Sequence, residues 1–596
     1  MEGYFDIVQI AKQKSRHILI LNYIPSTTSL GNPFYKGSIL LNTLFAIPSL
    51  LCLLIFSPGI SLAFTAEKLN LILYDQLEQF TADFSDSPNK NRLHNMHRWL
   101  SIVYGQTGLQ PLWVNMDGPA DKAATLLAII QNANMDGLDP EQYYLSQLTS
   151  LWKDQTPEAL IELDTLLTLA FINYTYDIGG GRSRFTTNAP SAFKEKKMAA
   201  YDALALIKTA LSAPDLNLFM NNLLPTHKYY KNLRTVLPLY QEMAATGGWP
   251  SIASGRSIHP GENDARIPTI KSRLQIEGFL QAAPTATDTT TYDELLAQAV
   301  IKFQLRHGLT GDGVIGTATI AAMNVTAQQK VRQILVNLER WRGKDHDLGK
   351  KYVLIDIAGF HLEGITDDQV ILDMPVIVGT ILNQTPIFSD RIQYMEINPF
   401  WNIPPSIARN EMLEEVKKDN NFLNSSNIRL FSDWSNEASE INPLCIDWNK
   451  INPQQMSHFK LRQEPGKKNA LGSIKFIFPN SHSVYMHDTP SQANFKHAKR
   501  AFSHGCIRLE QPVKLADFLM NKHNDWTQER FHEIINSGKR TIVNLPEPLP
   551  VHLTYQTVKS DQQGLASFHT DIYDQDRQLE QILFEEQDVY QRTTLQ

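Results

Sequence analysis

At 596 residues the chain exceeds what a single hydrophobic core organises, so several domains are expected. A composition of 42% hydrophobic and 20% charged residues is that of an ordinary globular protein and excludes collagen-like, mucin-like and disordered classes. The formal charge of −7 is mild for this length and argues against a nucleic-acid surface as the main feature.

From the N-terminus, no charged residue occurs between Gly37 and Ala66, and Ile39 to Phe56 is dominated by apolar and small residues, about the length that crosses a bilayer. Lys12, Lys14, Arg16 and Lys36 precede it, against Glu2 and Asp6, which favours a cytoplasmic N-terminus and export of the chain beyond the apolar stretch. Ser61-Leu62-Ala63 offers small residues at the two positions a signal peptidase reads. Residues 1–66 are therefore expected to be a leader with a signal peptide cleaved after Ala63, or an uncleaved inner-membrane anchor, placing the remainder in the periplasm. Beyond this segment only Cys445 and Cys506 remain, so the exported part either closes one disulfide or keeps a thiol free because it reacts.

Residues 67–268 read as a helical scaffold, with apolar positions at helical spacing in Leu69–Phe80 and Ala124–Ala133 and turn signals at Asp136-Gly137, Gly179-Gly180-Gly181 and Gly247-Gly248. Gly255 to Pro268 is read as a linker. Residues 269–324 carry helical stretches at Leu274–Leu280 and Tyr292–Gln304, a glycine-rich loop from Gly308 to Gly316, and a short helix at Thr317–Met323. That pattern resembles the three-helix peptidoglycan-binding domain attached to many cell-wall enzymes. A connecting helix at Val331–Trp341, within 325–350, leads to strand-like runs at Lys351–Ile357, Val370–Val378, Ile392–Asn398, Ser473–Phe478 and Ser483–His487. Residues 351–545 are thus expected to form a mainly β domain. Its polar insert, about 406–469, is long enough to cap a site. Residues 546–596 are read as an extension that packs on it.

The chemistry concentrates at His487 and, sixteen residues further on, Ser503-His504-Gly505-Cys506-Ile507-Arg508-Leu509. A thiol attacks as thiolate, and an imidazole can accept its proton and stabilise the charge. Cys506 and His487 form the candidate pair. The amides of Gly505 and Cys506 are candidate oxyanion donors, with Ile507 expected to lead into a helix whose N-terminus favours negative charge. Ser503 is expected to hydrogen-bond within the loop. His482, His487, His497 and His504 lack the spacing of a zinc set, which argues against a zinc peptidase.

Ser503-His504-Gly505-Cys506-Ile507-Arg508, with the upstream His487-Asp488-Thr489-Pro490, resembles the signature of the L,D-transpeptidases with a YkuD-type catalytic domain. Gln384-Thr385-Pro386-Ile387-Phe388, Asn398 to Pro405 and Asn469-Ala470-Leu471-Gly472 extend the likeness toward the large Gram-negative subfamily typified by the YcbB protein. Gln511 stands where the family commonly has Asn. The resemblance implies a multidomain α+β chain: a helical scaffold, a peptidoglycan-binding domain and a YkuD-type domain with a capping insert. It further implies Cys506 as nucleophile, His487 as proton acceptor and donor, and a backbone carbonyl at Asp488 orienting the ring. Arg508 would hold either the loop or a substrate carboxylate, and His504 is at most a second base. No metal or organic cofactor is implied. The implied partners are peptidoglycan tetrapeptide stems, as donor and acceptor in 3-3 cross-linking, with carbapenems expected to acylate the same thiol. L,D-carboxypeptidase action, lipoprotein attachment and a non-catalytic wall-binding scaffold are the alternatives.

Overall fold

The computed structural model describes residues 69–75, 77, 90–182, 202–281, 290–344, 346–520, 525–561 and 563–585. Among them no helix is long and apolar enough to cross a membrane, and the charge-free stretch from Gly37 to Ala66 lies outside them. Two compact units are present. The first holds the described residues up to Asn134, Asp139–Tyr176 and those from 202 to Asn221; the second holds Met135–Leu138 and the described residues from Asn222 onward, with a short stretch beginning at Asp177.

In the first unit, the helices Asp121–Gln131 and Ala203–Ser212 and most of Pro157–Gly180 bury apolar side chains, among them Leu126, Ile130, Leu163, Leu167 and Ile207. Asp164 is fully buried there. Its Oδ1 accepts the amides of Leu112, Trp113 and Val114 at 2.8, 2.6 and 3.1 Å, and Oδ2 accepts the Tyr104 hydroxyl at 2.6 Å. Burial pushes its carboxyl up to about 6 against those four donors.

The second unit contains the helical module and the β domain. Helices Ile267–Ile276, Glu294–Arg306 and Thr317–Met323 surround Leu274, Tyr292, Val300, Phe303 and Ile320. Ile252, Ile258 and Ile267 join this core, and Ile258 bridges to Ile315, so the stretch expected to be a linker is packed into the module. Residues from Asn222 onward, the segment ahead of the module included, belong to the second compact unit. The connecting helix is longer than its apolar period suggests, Ala327–Arg342, because a Thr326–Gln329 capping box starts it one turn sooner.

A buried charge cluster ties that helix to the module. Glu277 Oε2 lies 2.6 Å from Arg273 Nη1, and its Oε1 lies 2.6 Å from Lys330 Nζ, which is 2.8 Å from His307 Nε2. Burial alone would raise the Glu277 carboxyl, but Lys330 and Arg273 outweigh it and hold it at about 2. On Lys330 burial wins, lowering its ammonium to about 8, so the pair stays charged from mildly acid to neutral pH. Glu277→Ala strands two buried cations and is expected to cost about 3–5 kcal/mol in urea unfolding of this unit. Because its folded pKa is depressed, the stability Glu277 contributes is complete above about pH 4.5 and is lost as pH falls through about 2.

Nine strands form the large sheet: β1 (Lys351–Asp356), β2 (His361–Thr366), β3 (Gln369–Gly379), β4 (Ser389–Ile397), β5 (Ile474–Ile477), β6 (Met486–His487), β7 (Ala501–Ser503), β8 (Ile507–Leu509) and β9 (Thr541–Thr554). The order β3-β8-β6-β5-β4-β9-β1-β2 returns to β3, closing the sheet on itself, while β7 adds parallel to the end of β3. Closure leaves no long edge to template foreign strands. β9 pairs with β4 and, in parallel, with β1. A domain boundary at 545 would cut β9 in two, so the extension is an integral strand of the domain.

The insert after β4 is a small lobe with its own core of Ile403, Leu413, Val416, Leu430, Trp448 and Leu461. Its strands run in the order Trp401–Asn402, Lys460–Gln463, Ile428–Phe431, Glu440–Ile441.

Candidate active site

Alternation along the strands separates core from chemistry. Met395, Phe476, Met486 and Ile507 are cross-strand neighbours on β4, β5, β6 and β8, and all are fully buried. The residues one position away therefore share the opposite face. There Glu396 pairs with Lys475, Lys475 with His487, and His487 with Arg508, in one row across four strands. Cys506 precedes β8 and Tyr485 precedes β6, and the Ile507 amide donates to the Tyr485 carbonyl at 3.1 Å, which continues the parallel register to bring Cys506 beside Tyr485.

His487 Nδ1 lies 2.6 Å from the Asp488 carbonyl oxygen. An N–H is required for that contact, so the proton sits on Nδ1 and Nε2 carries the lone pair. Burial, with Arg508 next in effect, lowers the ring to about 3, so the imidazole is neutral across the physiological range, with its Nε2 lone pair unprotonated. Asp488 is itself fixed by its carboxylate. Oδ2 accepts the Ser473 amide at 2.8 Å and its hydroxyl at 2.7 Å, and Oδ1 accepts the Thr489 amide at 2.7 Å. Gly472 makes room: its φ is +61°, and a Cβ there would lie 2.3 Å from Asp488 Cγ.

Burial pushes the Cys506 thiol up, opposed in smaller measure by the Tyr485 amide, Lys475, the Tyr485 hydroxyl and Arg508. Among the described residues no hydrogen bond joins Sγ to the His487 ring, and catalytic contacts of this kind commonly tighten only when substrate is bound. Cys445, exposed in the insert, is also a free thiol.

The loop around Cys506 is held from below. Ser503 Oγ donates to the Cys506 carbonyl at 2.5 Å and accepts the Gly505 amide at 3.1 Å. Thr385 Oγ1 donates to the Gly505 carbonyl at 2.8 Å and accepts the Gly379 amide at 2.9 Å. Two expectations change here. The Gly505 amide is committed to Ser503 and so is not a ready oxyanion donor, which leaves the Cys506 amide. Ile507 opens strand β8, not a helix, because Ile507 and Leu509 are both drawn into the core; the helix begins only at Pro512.

His504 is half-exposed, with Nε2 2.7 Å from Glu411 Oε1 on the insert, which places it in an inter-lobe polar contact. Arg508 Nε is buried without a hydrogen-bond partner, and no ion pair to Arg508 occurs among the described residues. Sequence reasoning admits Tyr485 only as an aromatic of the substrate groove, outside the catalytic set, and does not single out Lys475. Lys475 Nζ stands 4.0 Å above the Tyr485 ring, whose centroid is 5.7 Å from that of His487. The signal was present in the alternation, since Tyr485 and His487 are two residues apart, but Lys475 required the β5–β6 register. Among the described residues no group of three or more His, Cys, Asp or Glu side chains is placed to hold a metal ion.

Residues 350–543 match the family of the L,D-transpeptidase catalytic domain, YkuD. This chain carries an L,D-transpeptidase catalytic domain. Residues 98–237 match the family described as "Scaffold domain", and residues 263–323 the one described as "Putative peptidoglycan binding domain". A protein of Haemophilus influenzae named "Putative L,D-transpeptidase" is 32% identical over 227 residues, taking in 38% of this chain and 45% of that protein. The match thus spans less than half of that relative's length. Solved structures resemble the chain weakly. An L,D-transpeptidase from Mycobacterium smegmatis has a TM-score of 0.17 at 13% identity, over 34% of this chain and 58% of that one. The L,D-transpeptidase (residues 123–326) from Xylanimonas cellulosilytica has a TM-score of 0.16 at 13% identity, over 51% of this chain and 99% of that one.

Within the L,D-transpeptidase domain, a raised thiol and a depressed imidazole describe a neutral resting pair. The rate of Cys506 alkylation by iodoacetamide, read by peptide mass spectrometry, is expected to climb continuously from pH 6 to 9. A plateau reached below pH 7 would instead indicate a preformed thiolate–imidazolium pair.

Proposed function

We propose that the protein is a periplasmic cysteine L,D-transpeptidase that forms 3-3 cross-links between meso-diaminopimelate residues of peptidoglycan stems. The observation that carries this is the placement of Cys506 and His487 on one face of two parallel strands, with His487 Nδ1 committed to the Asp488 carbonyl. Cys506 Sγ attacks the carbonyl of the bond between diaminopimelate and terminal D-alanine while His487 Nε2 takes the thiol proton. The Cys506 amide, with the Tyr485 hydroxyl that lies beside Cys506, is the candidate donor to the developing oxyanion. Collapse breaks the C–N bond, His487 returns its proton to the leaving D-alanine amine, and a thioester remains. The side-chain amine of a second stem then attacks the thioester, giving up a proton to His487, and the thiolate leaves and is reprotonated.

The charge-free stretch from Gly37 to Ala66 supports export, and the peptidoglycan-binding-like module supports attachment to the wall. Incubation of the full chain with purified disaccharide-tetrapeptides, followed by mass spectrometry, tests the reading. Cross-linked dimers with release of D-alanine are expected. Tripeptide products alone would assign L,D-carboxypeptidase action, and unchanged substrate would overturn the enzymatic reading.

A further inference from the structure

A cavity of about 580 Å³ lies within the second unit, between the helical module and the β domain and apart from Cys506. Leu305, Arg306, Gly308 and Leu309 form one wall; Asp356, Gly359, Phe360, Glu363, Lys559 and His569 are among those opposite. Most of its charged groups are already paired. Glu363 accepts the Tyr229 hydroxyl and lies 2.7 Å from Lys559 Nζ, His361 meets Asp373 at 2.5 Å, and Arg306 meets Asp561 at 2.5 Å.

Asp356 is the exception. It is 3% exposed; Oδ1 accepts the Gln556 amide at 3.0 Å, while Oδ2 is buried without a hydrogen-bond partner. Burial raises its carboxyl, opposed first by the nearby Lys559 ammonium and then by the amides of Gln556 and Gly359. Gly359 leaves room beside both groups, since a Cβ there would lie 2.6 Å from Oδ2 and 3.5 Å from His569 Nε2. Oδ2 and the His569 ring thus converge on one spot in the cavity wall. Burial holds that ring at about 3, so it is a neutral hydrogen-bonding group. A buried acceptor without a donor is costly, and a cavity of this size has space for a ligand that brings one. At the mouth, Lys499 is exposed, and no ion pair to it occurs among the described residues.

We propose that this cavity is a second binding subsite for a zwitterionic peptide, a peptidoglycan stem whose ammonium group meets Asp356 Oδ2 and His569 and whose carboxylate meets Lys499. This rests on the peptidoglycan reading of the active site and goes beyond it. The subsite would hold one stem of the wall at the seam between module and enzyme while Cys506 works on another.

The test uses the full chain carrying Cys506→Ala, which binds without turnover, titrated calorimetrically with disaccharide-tetrapeptide. Two binding events are expected, one of which weakens at least tenfold in Asp356→Asn and in Lys499→Glu. Asp356→Asn preserves the acceptor for the Gln556 amide, and Lys499 is exposed, so a second variant remains informative if the first is unstable. Both variants in the Cys506 background are expected to keep D-alanine release from saturating substrate. Binding that is unchanged in both variants would overturn the subsite while leaving the catalytic reading intact. Equal competition at the second event by stem-free glycan would overturn the peptide assignment. Absence of D-alanine release in the parent protein would identify failure of the underlying reading instead.

Discussion

Cys506→Ala is expected to abolish acyl transfer, lowering turnover by at least about 10⁴-fold, while leaving the fold unchanged. The neighbours that build the core, Ile507 and Leu509, are untouched, and Cys506 itself is only partly buried, so truncation opens little cavity. Intact-mass analysis after carbapenem treatment reads the outcome directly: the parent gains one adduct and the variant gains none. An adduct that persists in Cys506→Ala, or appears on Cys445, would assign the nucleophile elsewhere. His487→Ala is expected to cost about 10²–10⁴-fold in acylation, the range for loss of a general base. Because the thiol is raised and the base would be gone, the residual rate should climb with pH as solvent takes over deprotonation.

Gly472→Ala is expected to damage the same site from a distance. The residue occupies φ +61°, which disfavours a side chain, and its Cβ would fall on the Asp488 carboxylate. Asp488 cannot retreat without losing the amide and hydroxyl of Ser473, so the displacement passes to its carbonyl and from there to His487 Nδ1. A destabilisation of about 1–3 kcal/mol is expected. A misplacement of the base should lower acylation by about 10–10²-fold, with kcat falling more than KM rises. Asp488→Ala in the Gly472→Ala background removes the clash and keeps the backbone carbonyl, so partial recovery of rate distinguishes positioning from general instability. A double variant no better than Gly472→Ala would argue that the carboxylate does not transmit the effect.

The contrast between these two predictions shows how the site was encoded. Cys506 and His487 stand out in a linear reading because reactive residue types sit beside a glycine and at the end of a strand, nineteen residues apart. Gly472 looks in sequence like any turn glycine; its meaning depends on Asp488 arriving from another strand. Thr385 is similar. Its motif is visible, but its work, bridging the Gly379 amide and the Gly505 carbonyl, exists only because β3 and the Cys506 loop meet. The Gly505 amide follows the same rule: a glycine beside a nucleophile suggests an oxyanion donor, whereas in the folded loop the Ser503 hydroxyl occupies that amide.

By itself the sequence determined the classes of element and the chemistry available, since helical and strand periodicity, glycine turns and a thiol near an imidazole are local properties of side-chain type and spacing. The tertiary structure decided the rest. Sheet closure set which strands became neighbours, so Glu396, Lys475, His487 and Arg508 form one row although they are distant in the chain. Burial then set protonation, lowering the imidazole and raising the thiol, because desolvation disfavours charge wherever the fold excludes water. The buried Asp356 Oδ2 between module and enzyme is likewise a product of packing, where segments more than two hundred residues apart in the chain enclose a space that no local pattern announces.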